Sequence, residues 1–408
     1  MKKICSAHIV AIIFGIVLII GISGFFNVKT FLKPIYSALF FSWDSEKSAG
    51  KNISAIEKNI ESIINDNVGM KNEYIEINGL AQKLVGKKLI EDADVSSRVI
   101  KLKNGHVTFA WTRLSDEIIN DSADKITGLK EFLDDRGTDF LFVQSPYKND
   151  DQNPLFPVGI EDYSIDNSMR FVSALREKNI NTLNLIDRIR EDNLDWYSLF
   201  FKTDHHWTNE AGFWAYGELA QYMNDNFGYN IDRNSWDINN YTVRTYEGAF
   251  LGSQGKRTGS LFAGVDDISF LIPKFETSLV YNNEIKGIYR TGTFEQTLLF
   301  EKENISGSLY DDFCYAASLN GDFGLLKLTN NLDTSGKKVM IIKDSFANPV
   351  ITFLAPNVSE ITVVDMRLLK GETGKTLREV IEESNPDTVI MLYNHSQISK
   401  PECFDFGI

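Results

Sequence analysis

Three short apolar segments near the carboxyl end constrain this chain more than any other feature of it. They are KKVMIIKDS (337–345), EITVVDMR (360–367) and DTVIMLYN (387–394), each an apolar core closed by polar residues. Uninterrupted apolar runs of that length are the pattern of strands buried on both faces, as in parallel sheets covered by helices on either side. Upstream, helical and strand-like patterns alternate. Ile118, Ile119, Ile126, Leu129 and Phe132 recur at helical spacing after Ser115, Gly137 ends that helix, and the strand-like DFLFVQSP (139–146) follows. An amphipathic helix near Ser168–Lys178 and the run NTLNLIDRI (181–189) continue the series. The expectation is an α/β fold with a doubly wound parallel sheet. Ligands of such sheets collect at the carboxyl ends of the strands, which puts Asp344-Ser345, Asp365 to Arg367 and Asn394-His395 on the rim of the site.

The alternation stops between about Trp236 and Gly336, where a composition rich in Thr, Tyr, Phe and Gly predicts a β-rich insertion over 236–336. Residues 27–110 read as a stalk and lead-in segment with a turn at Asn104-Gly105, and residues 111–408 as the main domain. Ahead of these, Ile9 to Phe26 carry no charge. At ~1.5 Å per residue that run spans ~27 Å, close to the thickness of a bilayer core. With Lys2 and Lys3 before it, residues 1–8 are expected in the cytoplasm, residues 9–26 in the membrane as a single-pass anchor, and the bulk of the chain outside. A cleaved signal peptide is the alternative, against which the length of the apolar run weighs. The net charge of −14, with no stripe of Lys and Arg to offset it, excludes nucleic acid as a ligand. Cys314 and Cys403 are too few for a disulfide framework and read as buried thiols, although an oxidising compartment would permit them to pair.

Chemistry concentrates in two places. The first is KTDHHWTN (202–209), which follows an apolar run and precedes a helix capped by Thr208. In an extended segment Asp204 and His206 point the same way and His205 the other, the spacing a carboxylate needs to orient an imidazole. The bland alternative is a pair of helix-start histidines with satisfied hydrogen bonds. The second is IIKDSF (341–346), where Ser345 sits between a buried strand and a following helix, with its hydroxyl and its own N–H at the helix N-terminus. Ser345 is then the candidate nucleophile, His206 the base and Asp204 the group that fixes the imidazole tautomer. Serine is also a common helix cap, so neither segment stands alone.

Taken with FVQSPYKND (142–150), FLGSQGKRTG (250–259) and KDSF followed by VVDMR, the DHHWT run resembles the DHHW family and, behind it, the SGNH-hydrolase-like alginate acetylation proteins of the AlgX/AlgJ type. The resemblance covers the chain from about residue 70 onward. It implies a flavodoxin-like SGNH fold in circularly permuted order, with the Asp/His element ahead of the serine, and O-acetylation of a polysaccharide outside the membrane. It assigns Asp204, His206 and Ser345 as the triad. Lys343 departs from the pattern, standing where SGNH enzymes have the glycine of G-D-S, and no G-x-N-D block is present. Asn394 is nominated as oxyanion donor in its place, or else as a strand-end turn residue. Lys148 and Asn149 are assigned to the rim, where solvated loop polarity accounts for them equally. Arg367 is set to bind a carboxylate or phosphate, or to form a salt bridge. Gly252, Gly255, Lys256 and Arg257 form a substrate-facing loop or a plain turn.

The leading expectation is a membrane-anchored serine O-acetyltransferase or acetylesterase working through an acyl-serine, with no cofactor and no metal. Its partners would be the polysaccharide and a multipass membrane protein delivering acetyl groups, because acetyl-CoA is cytoplasmic. A second class is a catalytically idle glycan-binding or scaffold protein on the same fold, in which the three triad side chains need not converge. A third is a metal-dependent phosphoesterase using Asp204, His205, His206 and His395, against which the missing D-x-D and H-x-D elements weigh.

Overall fold

The computed structural model describes residues 70–90, 98–333 and 335–408. Two compact units divide the chain, Met1–Leu80 and Ala81–Ile408. Of the first, only residues 70–80 are described, in helix α1 (Lys71–Leu84). The apolar run 9–26 lies outside the described residues, and among those described no helix is long and apolar enough to cross a membrane.

The second unit begins with a small antiparallel sheet, β1 (Leu89–Ile90), β2 (Val99–Lys101) and β3 (Val107–Thr108). The expected turn joins β2 to β3, with Gly105 at φ 93°. Next come α2 (Asp116–Asp134), β4 (Asp139–Gln144), α3 (Ser164–Glu177), β5 (Thr182–Asn184), α4 (Leu185–Glu191) and α5 (Asn209–Phe227). Ser115 caps α2 by accepting from Ile118 N, and Thr208 caps α5 by accepting from Ala211 N, as their sequence positions predict. The insertion follows as β6 (Tyr241–Phe250), α6 (Ser253–Thr258), α7 (Ser260–Ala263), β7 (Asp266–Pro273), β8 (Leu279–Asn283), β9 (Ile288–Gly292), α8 (Phe294–Leu298), α9 (Glu301–Asn304) and β10 (Leu325–Asn330). The chain then returns through β11 (Lys338–Lys343), α10 (Ala347–Leu354), β12 (Glu360–Val364), α11 (Met366–Thr373), α12 (Leu377–Ser384) and β13 (Thr388–Tyr393).

One sheet of eight strands organises the unit, in the order β5-β4-β13-β11-β12-β10-β8-β9. The five strands from β5 to β12 are parallel, and their residues alternate between two cores. Leu141, Val143, Ile341, Ile390 and Leu392 face one core, whereas Phe142, Met340, Ile342, Val364 and Met391 face the other. That double burial is what the three apolar segments required. The wholly parallel sheet expected from them is corrected in one respect: the sheet is mixed. β10 runs antiparallel to β12, and β8 and β9 extend it as a hairpin. β10 leads into β11 by a short connection with no room for a crossover helix, so it runs opposite to β11 and hence antiparallel to β12, which lies between them and would otherwise present an unpaired ladder. Within the insertion, β6 and β7 form a ribbon of their own.

Helices α5 and α10 meet on one face of the sheet at a point where only glycine fits. A Cβ at Gly212 would lie 2.5 Å from Pro349 Cγ and 2.7 Å from its Cβ. Gly212→Ala therefore overpacks the junction, and chemical unfolding should show a loss of about 1–3 kcal/mol. Unchanged stability would mean that the two helices separate freely.

Candidate active site

The carboxyl ends of the parallel strands bring two distant segments together. Residues 200–207 form a tight loop closed at its base by an antiparallel bridge between Phe200 and Trp207 and by Thr208 N donating to Leu199 O at 2.8 Å. Asp204 and His206 stand in its tip. The His206 N–H donates to Asp204 Oδ1 at 3.0 Å, which folds the segment back on itself and sets the His206 ring Nδ1 2.5 Å from the same oxygen. The other ring nitrogen, Nε2, lies 2.6 Å from Ser345 Oγ. Ser345 follows β11 and precedes α10 by two residues, so the loop and the strand end meet across 139 residues of sequence. A carboxylate at Nδ1 fixes the proton there and leaves Nε2 to accept from the hydroxyl.

The pairing of Asp204 with His206 does not arise from an extended segment, and the expectation that His205 points away is corrected. The tip bends, and the His205 and His206 rings lie with centroids 3.8 Å apart. His205 Nδ1 is 3.4 Å from Asp204 Oδ1 and 3.2 Å from Ser253 Oγ. Burial, with the neighbouring His206 adding to it, holds the His205 imidazole down to about 3, so it is neutral at physiological pH. For Asp204, burial opposes the charge. The imidazoles of His205 and His206 and the donors from His206 outweigh it, and the carboxyl sits well below the usual range.

Much of what holds this loop comes from the insertion. The Ser253 N–H donates to Asp204 Oδ2 at 2.6 Å. Asp266, at the start of β7, accepts from Lys202 N and Thr203 N, each at 2.8 Å, and from Thr203 Oγ1 at 2.6 Å. Thr203 Oγ1 in turn accepts from Gly252 N at 2.8 Å. Gly252 has no room for a side chain, since a Cβ there would fall 2.2 Å from Asp204 Cβ and 2.6 Å from its Cα. The FLGSQG stretch is therefore the wall of the carboxylate site rather than a plain turn. Its two glycines were visible in the sequence, but their partner was not.

Four secondary candidates take other places. Lys148 is buried, not on the rim, and its Nζ donates to Val107 O at 2.7 Å and Lys202 O at 3.3 Å. It pins β3 to the Asp204 loop from inside, with burial pushing its ammonium down to about 7 against the pull of Asp204 and Asp266. Asn149 is buried as well, its amide donating to Phe109 O at 3.1 Å. Both corrections have one cause: the chain after β4 turns inward under β3 instead of out to solvent. Asn394 donates its N–H (2.8 Å) and one N–H of its side-chain amide (2.7 Å) to Asp344 Oδ2, the buried carboxylate beside the nucleophile, and its Oδ1 accepts from Ser396 N at 2.8 Å, the strand-end turn role. Arg367 is engaged internally by Asp365 at 2.8 Å and Asp322 at 2.9 Å, in the salt-bridge role.

Asp204, His205 and His206 form the only set of three metal-type ligands grouped among the described residues. Its two nearest donor atoms, Asp204 Oδ1 and His206 Nδ1, are spent on one another, and His395 is packed instead against Trp111 and Tyr147, ring centroids 4.8 and 4.7 Å away. Cys314 and Cys403 are separate buried thiols.

A mixed α/β sheet with the serine, histidine and aspartate gathered at the carboxyl ends of its parallel strands has the architecture of SGNH hydrolase-like folds. Residues 108–258, which carry Asp204 and His206 but not Ser345, match the family described as SGNH hydrolase-like domain, acetyltransferase AlgX. Bacillus cereus PatB1 has a similar fold at 21% identity and a TM-score of 0.62, the alignment covering 78% of this chain and 99% of that one. A DHHW family protein from Eubacterium siraeum is similar at 15% identity and a TM-score of 0.59, over 78% and 96% of the two chains. The resemblance read from the DHHWT run thus holds. No curated protein sequence matches the chain.

Lys148 supplies a test of this packing. An unfolded lysine titrates near ~10.4, whereas this one is held at about 7. Between those values the unfolded chain binds more protons, so the cost of burying Lys148 is full below pH 7 and is relieved as pH rises towards 10. Urea unfolding from pH 7 to 10 should show stability rising with pH, and the slope should flatten in Lys148→Met. Equal slopes would place the ammonium in water.

Proposed function

We propose that this chain is a serine O-acyltransferase that places acetyl groups on a polysaccharide outside the cell membrane through an acyl-Ser345 intermediate. One observation carries the reading: the unbroken line of contacts from Ser345 Oγ through His206 to Asp204. As Ser345 Oγ attacks the donor's acyl carbon, His206 Nε2 takes its proton and then gives it to the departing group. Asp204 keeps the imidazole in the accepting tautomer and stabilises the imidazolium. The Ser345 N–H, at the approach to α10, faces the negative charge developing on the carbonyl oxygen. In the second half a sugar hydroxyl attacks the acyl-serine, its proton passes to His206, and Ser345 is regenerated. Water in place of the sugar gives an acetylesterase with the same residues, so the product depends on which nucleophile is held at that step.

Two further points support the reading. The matched family is described as an acetyltransferase, and an idle scaffold would have no need to hold three reactive side chains in line. The run Ile9–Phe26 serves as the membrane anchor, and a multipass membrane protein supplies the acetyl group from the cytoplasmic side.

Hydrolysis of a chromogenic acetyl ester tests the mechanism. Ser345→Ala and His206→Ala should each lower kcat/KM by more than about 10³-fold, and Asp204→Asn by about 10⁴-fold through the wrong tautomer. Gly252→Ala, which displaces Asp204, should cost about 10²-fold. Adding an oligosaccharide acceptor should divert acetyl from water to sugar. No ester cleavage by the wild type would favour the idle scaffold.

A further inference from the structure

The insertion carries no motif that sequence reading can interpret, yet it presses one side chain against the base. Tyr315 lies on the short turn Cys314–Ala317, and its ring is stacked on that of His206, with centroids 4.0 Å apart and planes inclined by 13°. Its hydroxyl donates to the backbone carbonyl of Ser345 at 3.1 Å. One side chain thus touches both the ring of the base and the main chain of the nucleophile. Tyr315 is buried, and burial holds the phenol well above its ordinary pKa, so it remains a donor.

The segment bearing Tyr315 is fastened by Asp322. That carboxylate accepts from the Lys343 ammonium, from Asn348 Nδ2 at 3.1 Å and from Arg367 at 2.9 Å. Lys343 also donates to Asn348 Oδ1 at 2.6 Å. Burial opposes the charge on Asp322, and Lys343 and Arg367 outweigh it, holding the carboxyl far below its usual range. The three partners lie two residues before the nucleophile, three residues after it, and on α11. This accounts for the lysine that stands where the SGNH pattern has glycine, because a glycine would have no ammonium to reach Asp322.

We infer that Tyr315 is a positioning residue for the His206–Ser345 pair, delivered by the insertion and locked by Asp322 to both flanks of the nucleophile. The inference deepens the acyl-serine reading and rests on it. The imidazole must accept from Ser345 Oγ and then donate to a leaving group nearby, and a flat ring against its face limits its motion to that plane. The hydroxyl on the Ser345 carbonyl fixes the backbone from which Oγ and the N–H project.

The test compares Tyr315→Met, which fills similar space without a ring face, with Tyr315→Phe, which keeps the stack and loses only the hydroxyl. On the acetyl ester, Tyr315→Met should lower kcat by about 10²-fold with KM unchanged, and Tyr315→Phe should recover to within about tenfold of wild type. If Tyr315→Met does not fold, Tyr315→Leu is read the same way. Wild-type kcat in the ringless variant, while Ser345→Ala is inactive, overturns the inference and leaves the acyl-serine reading standing. Equal losses in the Phe and ringless variants also overturn it, since the stack would then contribute nothing. Full turnover by Ser345→Ala would instead remove the reading on which the inference rests.

Discussion

The contact between Asp204 and His206 is the constraint around which the site is built. A carboxylate removed from water costs several kcal/mol unless donors replace the lost solvent. Here the donors are the His206 N–H and ring at one oxygen and the Ser253 N–H at the other. With both oxygens engaged, the carboxylate stays charged and aimed. His206 is then left with one direction in which to accept a proton, and Ser345 occupies it. The surrounding bonds of Asp266 and Lys148 act on the backbone of the same loop, so they set the angle of the carboxylate without touching the imidazole.

The sheet performs the complementary task for the nucleophile. In the parallel register β13 lies between β4 and β11, and their carboxyl ends stop together, so Asp344 and Asn394 emerge side by side. Asn394 donates to Asp344 from both its backbone and its side-chain amide, and Asp344 also accepts from Phe346 N at 2.9 Å. That closed arrangement fixes the sharp exit of the chain from β11 into α10, with Ser345 at the bend. Burial raises the Asp344 pKa, against the lowering pull of the Asn394 and Phe346 N–H groups and of the Arg367 charge. The insertion completes the assembly from the other side, supplying Ser253 and Asp266 to the acid and Tyr315 and Asp322 to the base and nucleophile.

The sequence disclosed the parts of this arrangement that are local. Asp204 and His206 are two residues apart, so their pairing survives the wrong assumption of an extended segment, and the turn that joins them is tighter than the strand geometry that suggested it. The β-core strands were legible because burial on both faces leaves an unbroken apolar run. What stayed hidden depends on contacts across long separations. Lys148 looks like loop polarity until β3 covers it, and Asn394 looks like a free amide until Asp344 takes it. Lys343 reads as a departure from a motif because its partner, Asp322, sits in a stretch with no periodicity. The β-rich character of residues 236–336 was legible, but the pairing of β8, β9 and β10 onto the main sheet was not, because an edge strand added by an insertion is chosen by the ladder it completes, not by its own pattern.

The central claim is that Ser345 becomes acylated with His206 as its base. The most direct measurement is acid-quenched peptide mapping by mass spectrometry after brief exposure of the protein to an activated acetyl ester. The account predicts one acetyl group on the peptide carrying Ser345, lost on addition of an acceptor and absent in His206→Ala. Turnover with Ser345 unmodified, or acetyl spread over surface lysines with none on Ser345, would contradict it.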